Sequence, residues 1–159
     1  MAEHFSLIGT TREEQYTSLL PQIQALVGDE KNLIAVLSNT AAALKQQFGF
    51  FWVGFYIVEA EHLVLGPFQG TVACMRIVKG KGVCGTAWEK GDSQLVPDVD
   101  AFPGHIACSN TSKSEVVIPI FKGKEVVAVL DVDSDKLADF SQTDIIYLEK
   151  LCNWLSTYF

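Results

Sequence analysis

Four cysteines, Cys74, Cys84, Cys108 and Cys152, carry the first chemical question. The opening residues MAEHFSLIGTTREEQY show no basic stretch leading into an apolar one, and no apolar run approaches the ~18 residues a membrane span needs. A cytoplasmic location without membrane contact is expected, and thiols there are reduced. In that setting cysteines are more often catalytic or metal-binding than stapling. The bland alternative, a small core hydrophobe, suits Cys152. Zinc could take Cys74, Cys84, His105 and Cys108, but only the string H-x-x-C approaches the close ligand pairs of zinc sites. No metal is therefore expected. A redox relay fits these thiols better, because a sulfenic acid formed on one cysteine is removed by condensation with another.

Strand periodicity supplies the other candidates. Residues two apart share a face of a strand, which puts Trp52, Gly54 and Tyr56 together in W-V-G-F-Y. Gly54 would leave open space between two aromatic walls, half of a small-molecule cage, unless the pair is simply core. The same rule unites Asp131 and Asp133 in V-L-D-V-D-S. Two like charges on a packed face are costly unless they face a pocket or a cation. They read as a site for an ammonium group or a metal ion, or as a solvated strand end. Glu115 opens a neighbouring strand. Close to those acids and to apolar side chains, its pKa would rise through desolvation and like charge, making it a proton donor. An exposed strand-start glutamate is the alternative.

The elements that position these groups follow from pattern. Helices are expected over Thr11 to Val27, with Pro21 a kink or a restart, and from an Asp29 cap through Leu33, Leu37, Ala41, Leu44 and Phe48 to Gly49. Phe50 to Val58, FFWVGFYIV, predicts a strand buried on both faces. Leu63 to Leu65 and Val72 to Ile77 predict strands separated by a turn at GPFQG, followed by a short helix from Gly82 to Gly91 and a brief strand at Leu95 and Val96. Asp98 to Ser114 is a long polar loop, a feature that is usually functional or disordered inside a compact domain. Glu115 to Phe121 and Glu125 to Asp133 form a hairpin through KGK. Ser141 and Asp144 open the last helix as a capping box, and its apolar face includes Cys152. This order predicts an α+β domain, an antiparallel sheet with helices packed on one side.

Composition narrows the partners. With 159 residues, 12 Lys+Arg against 19 Asp+Glu, a net charge of −7 and 48% hydrophobic residues, one acidic domain spanning 1–159 is expected, with a helical lead-in over about 1–28 and a core over about 29–159. Disorder, collagen and coiled coil are excluded. Scattered basic residues argue against nucleic acid, which demands clustered Lys and Arg.

Six strings in order, W-V-G-F-Y, L-V-L-G-P-F-Q-G, G-K-G-V-C-G-T-A, P-G-H-I-A-C, K-S-E-V-V-I-P-I and V-L-D-V-D-S, resemble the free methionine-(R)-sulfoxide reductases, small stand-alone GAF-domain enzymes. The resemblance implies a GAF-like antiparallel sheet flanked by helices, and thiol-dependent reduction of the R epimer of free methionine sulfoxide. It implies Cys108 as catalytic thiol, Cys74 as resolving thiol in a Cys74 to Cys108 disulfide, and Cys84 as an auxiliary thiol. Trp52, Tyr56, Glu115, Asp131 and Asp133 would then line the substrate pocket, with Glu115 assisting proton uptake. No cofactor is implied beyond an external dithiol such as thioredoxin, and homodimers are implied, for which Trp154, Tyr158 and Phe159 could supply contacts. Two positions depart from the family pattern: Ser109 stands where Asp commonly follows the catalytic Cys, and Phe51 where Asn commonly precedes the pocket Trp. The rival reading is a non-catalytic GAF module that binds a small ligand or senses redox state.

Overall fold

Six antiparallel strands in the order β3-β2-β1-β6-β5-β4 frame the computed structural model, which describes residues 5–106, 108 and 110–159. The strands are β1 (Trp52–Glu59), β2 (His62–Gln69), β3 (Arg76–Val78), β4 (Gln94–Val96), β5 (Ser114–Lys122) and β6 (Glu125–Ser134). The helices are α1 (Arg12–Val27), α2 (Leu33–Phe48), α3 (Gly82–Lys90) and α4 (Gln142–Leu155). The α+β class and the β5-β6 hairpin are as the sequence predicts.

Alternate residues of the central strands are apolar in both directions, so both faces of the sheet are covered. On one face Val53 and Phe55 of β1, Val116, Ile118 and Ile120 of β5 and Leu130 and Val132 of β6 pack against Leu37, Leu44, Leu148 and Cys152 of α2 and α4. On the other, Trp52, Tyr56, Val117 and Val129 meet Val83, Ala87 and Trp88 of α3. The expectation of helices on a single side is thus corrected: α3 lies across the opposite face and roofs the candidate site.

Three local expectations also change. The strand expected over Val72 to Ile77 is confined to β3, and residues 72–75 lie outside helix and strand. The N-cap of α2 is Asn32, whose side chain accepts from the Ala35 N–H at 3.1 Å. Asp29 falls in the preceding turn, where the Glu30 carboxylate accepts from the Lys31 and Asn32 N–H groups, both at 2.7 Å. The string GPFQG is no turn. Gly66, Pro67, Phe68 and Gln69 continue β2 through a bulge, with Gly66 and Pro67 facing the single residue Phe55 between the pairs Tyr56↔Leu65 and Gly54↔Phe68. β3 pairs with β2 only from His62 to Val64, so Pro67 withholds its missing N–H where no further strand lies alongside.

Pro21 sits within a continuous α1. Thr11 with Glu14, and Ser141 with Asp144, form capping boxes that start α1 and α4. Asp144 also joins these helices: its Oδ1 accepts from the buried Tyr16 hydroxyl at 2.8 Å and lies 3.5 Å from Arg12. Its Oδ2 accepts from the Ser141 N–H at 2.8 Å. Asp144→Ala removes a cap and strands a buried phenol, which should cost roughly 2 to 4 kcal/mol in urea unfolding, more than Tyr16→Phe; equal losses for the two variants would contradict this dual role.

Candidate active site

Cross-strand register assembles the site from three central strands. Trp52 of β1 pairs with Asp133 of β6, which pairs with Glu115 of β5. One row along, Gly54 pairs with Asp131, which pairs with Val117. Directly opposed residues project from the same face, so the aromatic walls and all three acids point beneath α3. That helix presents Cys84, whose Sγ lies 4.0 Å from Glu115 Oε1. The cavity between them is lined also by Thr71, Val72, Gly82, His105, Cys108 and Ser112.

The predicted aromatic pair is present, with Trp52 and Tyr56 centroids 6.1 Å apart. The open space expected over Gly54 is not. A Cβ there would lie 2.3 Å from the Phe68 Cβ and 2.7 Å from Trp52 Cη2. Phe68 stacks on Trp52 at 5.3 Å, so Gly54 serves close packing of the wall. Gly70, at φ +139°, passes so near the indole that a Cβ would meet Trp52 Cδ1 at 2.5 Å. Phe68 and Gly70 were hidden by reading their string as a turn; the signal that exposes them is the Gly54↔Phe68 pairing.

Burial dominates the electrostatics. Cys84, Glu115 and Asp131 are buried, while Asp133 is partly exposed. Loss of hydration pushes Glu115 well above the usual carboxylate range, and the charges of Asp131 and Asp133 push it further. Asp133 is raised by burial and by Asp131, with opposition from a Ser112 hydrogen bond. Burial raises Asp131 to about 6, against the lowering effect of hydrogen bonds from Cys84 and Glu115. The Cys84 thiol is driven up by burial and then by the neighbouring acids, Asp131 foremost, and Tyr56 is raised for the same reasons. Among the described residues Asp131 Oδ1 is buried without a hydrogen-bond partner. Burial therefore favours the protonated form of the site's carboxyls, and Asp131 Oδ1 stands as an acceptor toward the cavity.

Cys74 and Cys108 form a disulfide with Cα atoms 5.4 Å apart, leaving Cys84 and Cys152 as buried free thiols. That bond withdraws two donors from the zinc set weighed above. The donors that do converge are Cys84, Glu115 and Asp131, with ligand atoms within 4.8 Å of one another; a cation there would have to displace protons that burial retains. Cys152 is 1% exposed in the helical core. Phe51 lines the cavity, and Ser109 lies outside the described residues.

The six-stranded antiparallel sheet, its flanking helices and a pocket under α3 define a GAF domain, and the GAF-domain family model matches residues 30–157. The chain is 56% identical to GAF domain-containing protein A of Dictyostelium discoideum, over 98% of this chain and 99% of that one. It is 42% identical to the free methionine-R-sulfoxide reductase of Escherichia coli, over 84% of this chain and 81% of that one. The crystal structure of free methionine-R-sulfoxide reductase from Neisseria meningitidis in complex with its substrate superposes with a TM-score of 0.95 at 51% identity, covering 99% of this chain and 95% of that one. The chain belongs to the free methionine-R-sulfoxide reductase family. Among the described residues no helix is long and apolar enough to cross a membrane.

The raised carboxyl pKa values have a signed consequence. Between the ordinary carboxylate range near pH ~4 and the folded values, the native state binds more protons than the unfolded one, so stability is full below that range. It falls as pH rises above that range and through about 6, where Asp131 titrates, and the raised Glu115 adds to the fall. Urea midpoints from pH 4 to 8 should show this decline, and Glu115→Gln should flatten it; an unchanged slope would mean that Glu115 does not carry the buried proton.

Proposed function

We propose that this chain reduces free L-methionine-(R)-sulfoxide to methionine through a thiol relay. The Cys74–Cys108 disulfide beside a pocket of proton-holding acids carries the reading, supported by family membership. Cys108, as thiolate, attacks the sulfoxide sulfur. The oxygen takes up one proton, from neutral Glu115, and passes to the cysteine; methionine leaves and Cys108 becomes a sulfenic acid. Cys74 attacks that sulfur, water departs and the disulfide forms. An external dithiol, for which thioredoxin fits, restores both thiols by exchange, and no further cofactor is needed. Cys84, buried and held protonated, serves as auxiliary thiol.

Trp52 and Tyr56 enclose the apolar methyl end of the substrate, with Glu115, Asp131 and Asp133 on its polar side. Asp131, which titrates at about 6 and so carries charge at neutral pH, offers the counter-charge for the ammonium of a free amino acid, a group that a residue within a polypeptide lacks. In the disulfide form the cavity is about 50 Å³, far below the ~300 to 1,000 Å³ of pockets that engulf drug-sized ligands. Substrate is taken up by the reduced form, in which Cys108 is free to attack it. We read the lead-in helix as part of one domain over 1–159, supported by the burial of Tyr16 and Leu19 in the main core. A cytoplasmic homodimer is the proposed state, with the partly exposed Trp154, Tyr158 and Phe159 as contact candidates.

Reduced protein with methionine-(R)-sulfoxide, thioredoxin, thioredoxin reductase and NADPH should consume NADPH, while the S epimer and peptide-bound sulfoxide should not support turnover. Cys108→Ser should lower the rate at least ~1,000-fold, and Cys74→Ser should still release one methionine per chain before stalling. Absence of R-selective turnover, or turnover indifferent to Cys108→Ser, would return the chain to the redox-sensing reading. The oxidised protein should show no heat of binding with the substrate in calorimetry.

A further inference from the structure

The two aromatic walls of the pocket also grip the segment that carries Cys74. Residues 71–74 lie outside helix and strand, Val72 and Met75 are 87% and 78% exposed, and only Ala73 and Cys74 pack, partly buried, against the core beneath, so apolar burial alone fixes this stretch weakly. Two side-chain hydrogen bonds hold it at either end. The Trp52 indole N–H donates to the Thr71 carbonyl at 2.9 Å, and the Tyr56 hydroxyl donates to the carbonyl of Cys74 itself at 2.9 Å. Just beyond, the Leu65 N–H donates to the Met75 carbonyl at 3.0 Å. Tyr56 is 2% exposed and Trp52 4%, and both stand on a central strand. They are rigid posts and the thiol segment is the supple part.

We infer that the Tyr56 hydroxyl, with the Trp52 N–H, is a positioning group for the resolving thiol. It sets the rate at which Cys74 closes on oxidised Cys108, apart from its contact with substrate. This rests on the relay proposed above. The step it governs is the attack of the Cys74 thiolate on the Cys108 sulfenic acid, in which the S–S bond forms, the S–O bond breaks and the departing oxygen takes up the proton that the Cys74 thiol gave up, leaving as water. A thiol held against its target reacts as though at high effective concentration, and looser placement lowers that concentration directly. Filling the cage and presenting the second thiol are thus tasks of the same two rings.

Hydrogen peroxide tests this without substrate, because it oxidises the Cys108 thiolate to the sulfenic acid with release of hydroxide. Reduced protein is treated with peroxide in the presence of dimedone, and mass spectrometry counts chains trapped at Cys108 against chains closed to Cys74–Cys108. That ratio compares closure with trapping and does not depend on how fast Cys108 is oxidised. Tyr56→Phe, which keeps the ring and removes only the donor, should raise the trapped-to-closed ratio about tenfold; Cys74→Ser marks complete trapping. Cys152 alkylation in the same spectra reports global loosening. If Cys152 becomes reactive in Tyr56→Phe, Trp52→Phe, which removes the Thr71 tether, decides by the same ratio. A Tyr56→Phe ratio equal to that of the parent, with Cys152 protected, overturns the inference while leaving the relay intact. Failure of the parent protein to close Cys74 on Cys108 overturns the relay itself.

Discussion

Antiparallel register among β1, β6 and β5 is the constraint on which everything else in the molecule depends. Because side chains alternate along a strand, a slip of one residue would turn Trp52, Glu115, Asp131 and Asp133 into the helical core and expose Val53, Val116 and Val132 in their place. The helical face holds the register. Val53, Phe55, Val116, Leu130 and Val132 are each 0% exposed, and burial of such a side chain contributes about 1.5 to 3 kcal/mol. Several together outweigh the few kcal/mol that three acids on the reverse face can cost. The active face is specified by the apolar face behind it.

That reverse face raises the proton affinity of its acids by excluding water, and this gives the pocket its character. A sulfoxide oxygen leaving carbon-bound sulfur needs protons, and a solvated carboxylate at neutral pH has none to give. Glu115 under α3 retains one because ionising it would place a second charge beside Asp131 and Asp133 in surroundings that hydrate neither. The same conditions hold Cys84 as a thiol, which separates it in reactivity from a cysteine at the pocket edge. In the proposed relay, one desolvated cluster thereby sets the proton donor and a protonated auxiliary thiol side by side.

Much of this was legible from residue types and spacing. The pairing of aromatics, the pairing of acids and the raised Glu115 all follow from period two and from the cost of burying like charges. Cys152 was placed by helical period alone. What escaped was non-local. GPFQG has the composition of a turn, and only its partner Phe55, with the absence of a strand beside Pro67, makes it a bulged strand. The filled space at Gly54 depends on Phe68 from that misread string. The position of α3 was equally beyond local pattern, since a sheet apolar on both faces does not say which helix covers which. Asp29 and Asn32 both carry capping side chains, and the choice between them rests on the turn that Glu30 closes.

The disulfide spans a sequence separation of 34 residues, and this stretch contains β3, α3 and β4, the roof of the pocket and both edges of the sheet. A cross-link over such a loop restricts the unfolded chain by roughly 4 kcal/mol in the chain-entropy account. The oxidised chain is therefore the sturdier form, and the thiol form that accepts substrate is the looser one. Each turnover alternately fastens and frees a fifth of the polypeptide, so the electrons delivered by the reductant also unlock a mechanical clamp. A cell short of reducing power would accumulate this protein in its most durable state, inactive but preserved.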